Sequence, residues 1–155
     1  MSGFAIGDAR RRLFFRYMAR ETLVWCEEMC GVRHIRLSDI PKFPPQAFAA
    51  LIPRVCPGVE IVPQAGRVCA RLPGAKDTVT LFPASDDACL AVFNRFNGRN
   101  TLGQAASSLA GAMGWSAAES MSRVRALFLR LLALRFCVPC NDVSAEIEAA
   151  RRSGA

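Results

Sequence analysis

Apolar and polar positions along the chain change period three times, and each change predicts a different kind of element. Asp8 caps a helix that runs to about Cys30, with Gly31 as its stop. Its apolar stripe is Leu13, Tyr17, Val24 and Met29, broadened by Phe14, Met18, Trp25 and Cys26. Six prolines then punctuate the segment from Pro41 to Pro63, leaving room for one short helix from Pro45 to Ile52 that Pro53 ends. From Gly58 the period becomes two. Val59–Val62 and Arg67–Arg71 read as strands joined by a four-residue turn, Pro63–Gly66, and Thr78–Phe82 reads as a third strand.

Helical spacing returns after Ser85-Asp86-Asp87, which offers caps. Leu90, Phe93 and Phe96 make a stripe that Asn97-Gly98 closes. Thr101 and Gln104 have capping-box spacing, followed by Ala105, Leu109 and Met113 on one face and a stop at Gly114. A second box at Ser116 and Glu119 opens a third helix with Met121, Val124, Phe128, Leu131 and Leu132 as its buried face. Arg135–Val138 reads as a short strand ended by Pro139, and residues beyond Asn141 as a loose or partly helical tail. The pattern predicts an α+β, helix-rich fold: a winged helix-turn-helix with a small antiparallel sheet and an N-terminal helical extension. Its expected parts are residues 1–57 (helix and proline-rich connector), 58–141 (winged-helix domain) and 142–155 (flexible tail).

Hydrophobic residues make up 52% and charged residues 21%, enough apolar mass for a core, so wholesale disorder is excluded. No run of about 18 apolar residues suggests a membrane span. Arg11-Arg12-Leu13-Phe14-Phe15-Arg16 is similar to the twin-arginine export motif. Arg20, Glu21, Glu27 and Glu28 interrupt the apolar stretch such a signal needs, and the expected location is cytoplasmic. The formal net charge of +7 suits an anionic partner. Arg10, Arg11, Arg12, Arg16 and Arg20, with Phe14 and Phe15, form a basic patch that reads as a solvated face, as a seat on an anionic membrane surface, or as a surface for a partner's acidic patch.

The order Thr80-Leu81-Phe82, then Ala88–Phe96 with Asn97-Gly98-Arg99-Asn100-Thr101-Leu102, then Leu131–Phe136 resembles the PqqD family and its related peptide-recognition elements over roughly Pro53–Pro139. The resemblance implies a non-catalytic adaptor or chaperone. Such a protein binds a peptide or protein partner by strand addition and serves a modifying enzyme, such as a radical-SAM enzyme. Carried over by position, the peptide or partner edge is Thr78, Val79, Thr80, Leu81 and Phe82, and the helix wall is Arg123, Ala126, Leu127 and Arg130. The alternative for Ala126 and Leu127 is packing against the N-terminal helix. This chain carries about fifty residues ahead of the resembling part, and has Asn97 where the family pattern usually has an acid before the glycine.

Three further readings stay open. A winged-helix transcriptional regulator would use Arg123, Arg125 and Arg130 on DNA, although no Asn, Gln or Lys accompanies them to read bases. A metal or redox module would use Cys26, Cys30, Cys137 and Cys140, the last two in CxxC spacing. Homodimerisation through an exposed aromatic helix is the third. His34 is the only histidine and no phosphate loop or zinc-helix motif occurs, so neither a catalytic set nor a cofactor is expected.

Overall fold

The computed structural model describes residues 36–153. The chain divides into two units, Met1–Arg36 and Leu37–Ala155, and the architecture below is that of the second. The expected Asp8–Cys30 helix, the basic patch Arg10, Arg11, Arg12, Arg16 and Arg20, and Cys26, Cys30 and His34 lie outside the described residues.

The elements follow in chain order: a 3-10 turn Leu37–Lys42, α1 Pro45–Ala49, β1 Pro53–Val55, β2 Glu60–Gln64, β3 Arg67–Arg71, β4 Val79–Pro83, α2 Asp87–Phe93, α3 Leu102–Met113, α4 Ala117–Ala133, β5 Cys137–Pro139 and α5 Ser144–Ser153. Two antiparallel sheets result, β2-β3-β4 and the pair β1-β5. The fold is α+β, helix-rich, with small antiparallel sheets, as the hydrophobic pattern predicts.

The hairpin between β2 and β3 is tighter than expected. Gln64 pairs with Arg67, so the loop is Ala65-Gly66 alone, and both residues have positive φ (48° and 71°). Two consecutive left-handed residues give the turn whose twist matches that of the flanking strands. The third strand runs Val79–Pro83, one residue later than the expected Thr78–Phe82. Val68 pairs with Phe82 but Cys69 with Thr80, a register shift that leaves Leu81 as the extra residue of a bulge. The bulge explains how the neighbours Leu81 and Phe82 are both buried, which strict alternation along a strand forbids.

Helix starts match their sequence signals. Asp86 Oδ1 accepts the Cys89 N–H at 2.9 Å. Thr101 and Gln104 close a full capping box, with bonds of 3.1 and 2.8 Å, and Ser116 Oγ accepts from the Glu119 amide. Helix ends match less well. α2 stops at Phe93 rather than at Asn97, because Asn97 is bridged to Arg54 of β1. Val55 N donates to Phe96 O and Gly98 N to Pro53 O, so β1 lies between β5 on one side and the Phe96–Gly98 turn on the other. Gly98 has φ +77° and an added Cβ would lie 3.3 Å from Arg54 Cδ, so both backbone conformation and space favour glycine there. The expected stripe Leu90, Phe93, Phe96 is corrected too. Val92 and Phe96 are buried, whereas Leu90 is 37% exposed.

α4 ends without glycine. Arg135 takes the left-handed conformation (φ 62°), with Phe136 N donating to Leu131 O and Arg135 N to Leu132 O. That pair of bonds is a Schellman ending, and it turns the chain into β5. The strand therefore begins at Cys137, not at Arg135.

Residues on both sides of the expected 58–141 domain lie in the same unit. The segment before Gly58, read as a wrapped connector with apolar side chains to bury, supplies Ile40, Ala47, Phe48 and Leu51 to the core. The segment after Asn141, read as a flexible tail, is helical over Ser144–Ser153, and Val143 before it is fully buried. The expected helix to Ile52 stops at Ala49 because Pro53–Val55 is drawn into a strand.

The core is organised on three phenylalanines. Phe128 of α4 meets Phe48 of α1 edge-on, with ring centroids 5.9 Å apart, and Phe96 edge-on at 6.0 Å. Edge-to-face geometry sets the positive rim of one ring against the negative face of the next. Outside this cluster the Arg125 guanidinium lies 4.2 Å from the Phe48 ring centroid and donates to Pro41 O. This pins the 3-10 turn to α4.

Candidate partner-binding cleft

One hydrogen bond links the strand edge and the helix wall expected to form one surface. In the order β2-β3-β4, β4 is an edge strand, and among the described residues no other strand pairs with its outer side. Across from it, Arg130 of α4 donates from Nη2 to the Thr80 carbonyl at 3.2 Å. Arg123, Ala126 and Arg130 are exposed on α4 at helical spacing, so one stripe of that helix faces solvent beside β4.

Three of the residues expected in this surface are core instead. Leu127 is only 6% exposed, and Leu81 and Phe82 are buried, Phe82 with its ring 5.7 Å from that of Phe93. A side chain already packed inside offers no contact area to a partner, so their part is to hold β4 in place. Thr78, which precedes β4, is half-buried and donates to Gln64 Oε1. Thr80 Oγ1 lies 3.7 Å from Cys69 Sγ. The accessible surface is therefore Val79, the main chain around Thr80, Arg123, Ala126 and Arg130.

Sequence reasoning named Val79 but missed two contributors, Ile61 and Cys89. Ile61 and Val79 both register on Ala70, forming one cross-strand row, and they are 42% and 37% exposed. They place apolar area on the sheet next to the edge. Cys89 of α2 is the second. Its thiol is pushed up to about 11 by burial, with the Asp86 carboxylate as hydrogen-bond partner and neighbouring charge, while Arg123 and Arg130 pull the other way. Burial and Asp86 outweigh the two arginines, so the thiol, which lies within electrostatic reach of both, stays protonated at neutral pH. Nothing in its local spacing marks it, because the arginines come from a helix more than thirty residues later in the chain.

The other readings meet specific obstacles. Of the three α4 arginines that a DNA reader would use, Arg125 is committed to the Phe48 ring and the Pro41 carbonyl. In the CxxC pair, Cys137 is buried and its thiol is pushed up to about 12, first by desolvation. That is the opposite of the lowered thiol of a redox or metal-binding cysteine. Cys140 is exposed, and its thiol points to the carbonyls of Ile52 and Gly98. Among the described residues no three of His, Cys, Asp or Glu are grouped to hold a metal ion, and no helix is long and apolar enough to cross a membrane.

Cys137 makes stability depend on alkaline pH. In the folded protein its thiol is held protonated to about 12, against an ordinary value of 9.0. The unfolded chain gives up that proton first, so stability is present in full below pH 9 and is lost as pH rises toward 12. Melting temperature is expected to fall above pH 9. Cys137→Ala, although less stable at neutral pH, is expected to show a shallower fall. Equal slopes for the two proteins would remove Cys137 as the cause.

The fold and the cleft define a small α+β domain with an edge strand flanked by a basic helix stripe. Compared with protein-family models, with curated proteins and with solved structures, the chain matches none.

Proposed function

We propose that the chain is a winged-helix adaptor of PqqD-like plan that takes up an extended peptide or partner segment along β4 and supports maturation of a peptide or an enzyme. The observation that carries this reading is the outer edge of β4, which a side chain rather than a strand occupies among the described residues. An edge strand presents unpaired main-chain donors and acceptors, which an added strand satisfies. The arrangement of β2-β3-β4 followed by α2, α3 and α4 supports the winged-helix plan, since it repeats the order through which the sequence resembles that family. A modifying enzyme, such as a radical-SAM enzyme, is the class of second partner this reading brings with it.

The test is a peptide-display selection on the full chain, followed by binding measurements on the enriched peptides. Enriched peptides are expected to perturb the amide resonances of Val79–Pro83 and of the Arg123–Arg130 stripe. N-methylation of alternate peptide amides is expected to weaken binding at least tenfold, because it deletes the ladder bonds on one side. Selections that enrich nothing, or peptides that bind with unchanged affinity when N-methylated, would refute strand addition.

A further inference from the structure

We infer that Arg130 is a displaceable latch on the β4 edge, and that it makes the cleft select a strand carrying an acidic side chain. This rests on the strand-addition reading and adds the chemistry of the occupant. The Arg130 guanidinium donates to Thr80 O, a neutral carbonyl, and the side chain is exposed. Among the described residues neither Arg130 nor Arg123 has a carboxylate within ion-pair distance, unlike Lys42 beside Asp39 or Arg71 beside Glu60. A guanidinium carries five donors and no acceptor, and its strongest partner is a carboxylate held by two parallel bonds. Here it has a carbonyl instead.

The exchange on binding follows from geometry. An incoming strand that pairs with β4 beside Thr80 brings its own N–H groups to that edge, and Arg130 must yield the carbonyl. The freed guanidinium stays beside the new strand, because α4 is fixed by Val124, Phe128 and Leu131 in the core. A carboxylate on the incoming strand then gives it the bidentate partner that the empty cleft lacks, whereas an amide gives a weaker one and an ammonium repels it. Arg123, two helical turns away on the same stripe and stacked on Trp115, adds a second positive charge to the rim. Ala126 between them is small and exposed, which leaves room for a strand side chain to pass between the arginines. In the free protein the same latch blunts the edge, as a charged side chain laid across it discourages pairing between copies.

The experiment uses the 155-residue chain and fluorescein-labelled nine-residue peptides of alternating threonine and valine. Glu, Gln or Lys is placed at position five or at position six, so that both faces of the added strand are sampled. For the wild type, one of the two Glu peptides is expected to bind at least tenfold more tightly than its Gln counterpart, with Lys weakest and the difference shrinking in high salt. In Arg130→Ala the Glu and Gln peptides are expected to bind within about twofold of each other. Arg130→Lys keeps the charge but loses the two-pronged geometry, and is expected to fall between. Arg130 is exposed, so both variants are expected to melt like the wild type, and the Lys variant carries the test should the Ala variant unfold. Equal affinity of Glu and Gln peptides for the wild type would overturn the selection while leaving strand addition standing. A preference for Glu that survives in both variants would take the role from Arg130. Absence of binding by all the peptides would count against strand addition itself, and the latch would fall with it.

Discussion

Replacing Phe128 with alanine is expected to lower the stability of the Leu37–Ser153 unit by about 3–5 kcal/mol, the usual range for emptying a buried phenylalanine site. Phe128 is fully buried and makes two edge-on contacts, to Phe48 and to Phe96. Those rings come from three places in the chain: a one-turn helix before the sheets, the turn that borders β1, and α4. Removing the middle ring strips contacts from both others, and Phe48 is braced on its outer side by Arg125, which the Pro41 carbonyl holds. Denaturant unfolding of the two proteins measures the loss. A loss under about 1 kcal/mol would mean that the surrounding chain repacks freely, and the three-ring account of the core would fail. Phe128→Leu, which keeps most of the volume, is expected to recover more than half of the loss.

The second large effect is expected at Asn141. Its Oδ1 accepts the Ile52 N–H at 2.7 Å and its Nδ2 donates to Ala50 O at 2.9 Å, so one amide side chain stands in for a strand partner along Ala50–Ile52. Cys140 N donates to Ile52 O and Leu102 N to Leu51 O, which closes the set around that short segment. Asn141→Ala leaves the half-buried Ile52 N–H with no acceptor, at a cost of about 2–3 kcal/mol when the lost bonds are included. Asn141→Asp keeps the acceptor but faces the Ala50 carbonyl with a second oxygen, and is expected to be destabilising as well. Thermal melts give the size, and hydrogen exchange gives the place. Faster exchange is expected at Ile52 and through α5, which follows Asn141. A melt within error of wild type would show that solvent replaces the side chain at no cost.

Asn141 also shows where the sequence stops being readable. Local chemistry was legible wherever a signal and its effect lie within a few residues. The capping spacing of Thr101 and Gln104 produced the box it predicts, Gly114 took the left-handed cap, and the β-branched and alternating stretches became β2, β3 and β4 to within a residue or two. The bulge at Leu81 was not legible, since an extra residue in a strand follows from what Leu81 and Phe82 must both reach. Neither was β1. Pro53-Arg54-Val55 is too short to carry a period, and it becomes a strand only because Cys137–Pro139 and Asn97 arrive on either side. The Ala50–Ile52 clamp depends on a residue about ninety positions away.

The candidate cleft divides the same way. That Thr78–Phe82 is a strand and that Arg123, Ala126, Leu127 and Arg130 share a stripe follows from periods of two and 3.6. Which members of the two sets stay accessible does not. Leu81, Phe82 and Leu127 went inside, Val79, Ala126 and both arginines stayed out, and Cys89 joined from α2.

The sequence by itself determined the kinds of element, their order, most of their starts and the basic character of one face of α4, because these depend on neighbours no more than one or two turns away. Only the tertiary structure decided that Val143, beyond the expected domain, belongs to its core, that β4 lies at an edge, and that Arg130 rests on the Thr80 carbonyl. Each of those depends on burial and pairing between residues far apart in the chain. Such contacts form where the closing of a loop is repaid by apolar area or hydrogen bonds, and local patterning carries no record of which distant segment repays it.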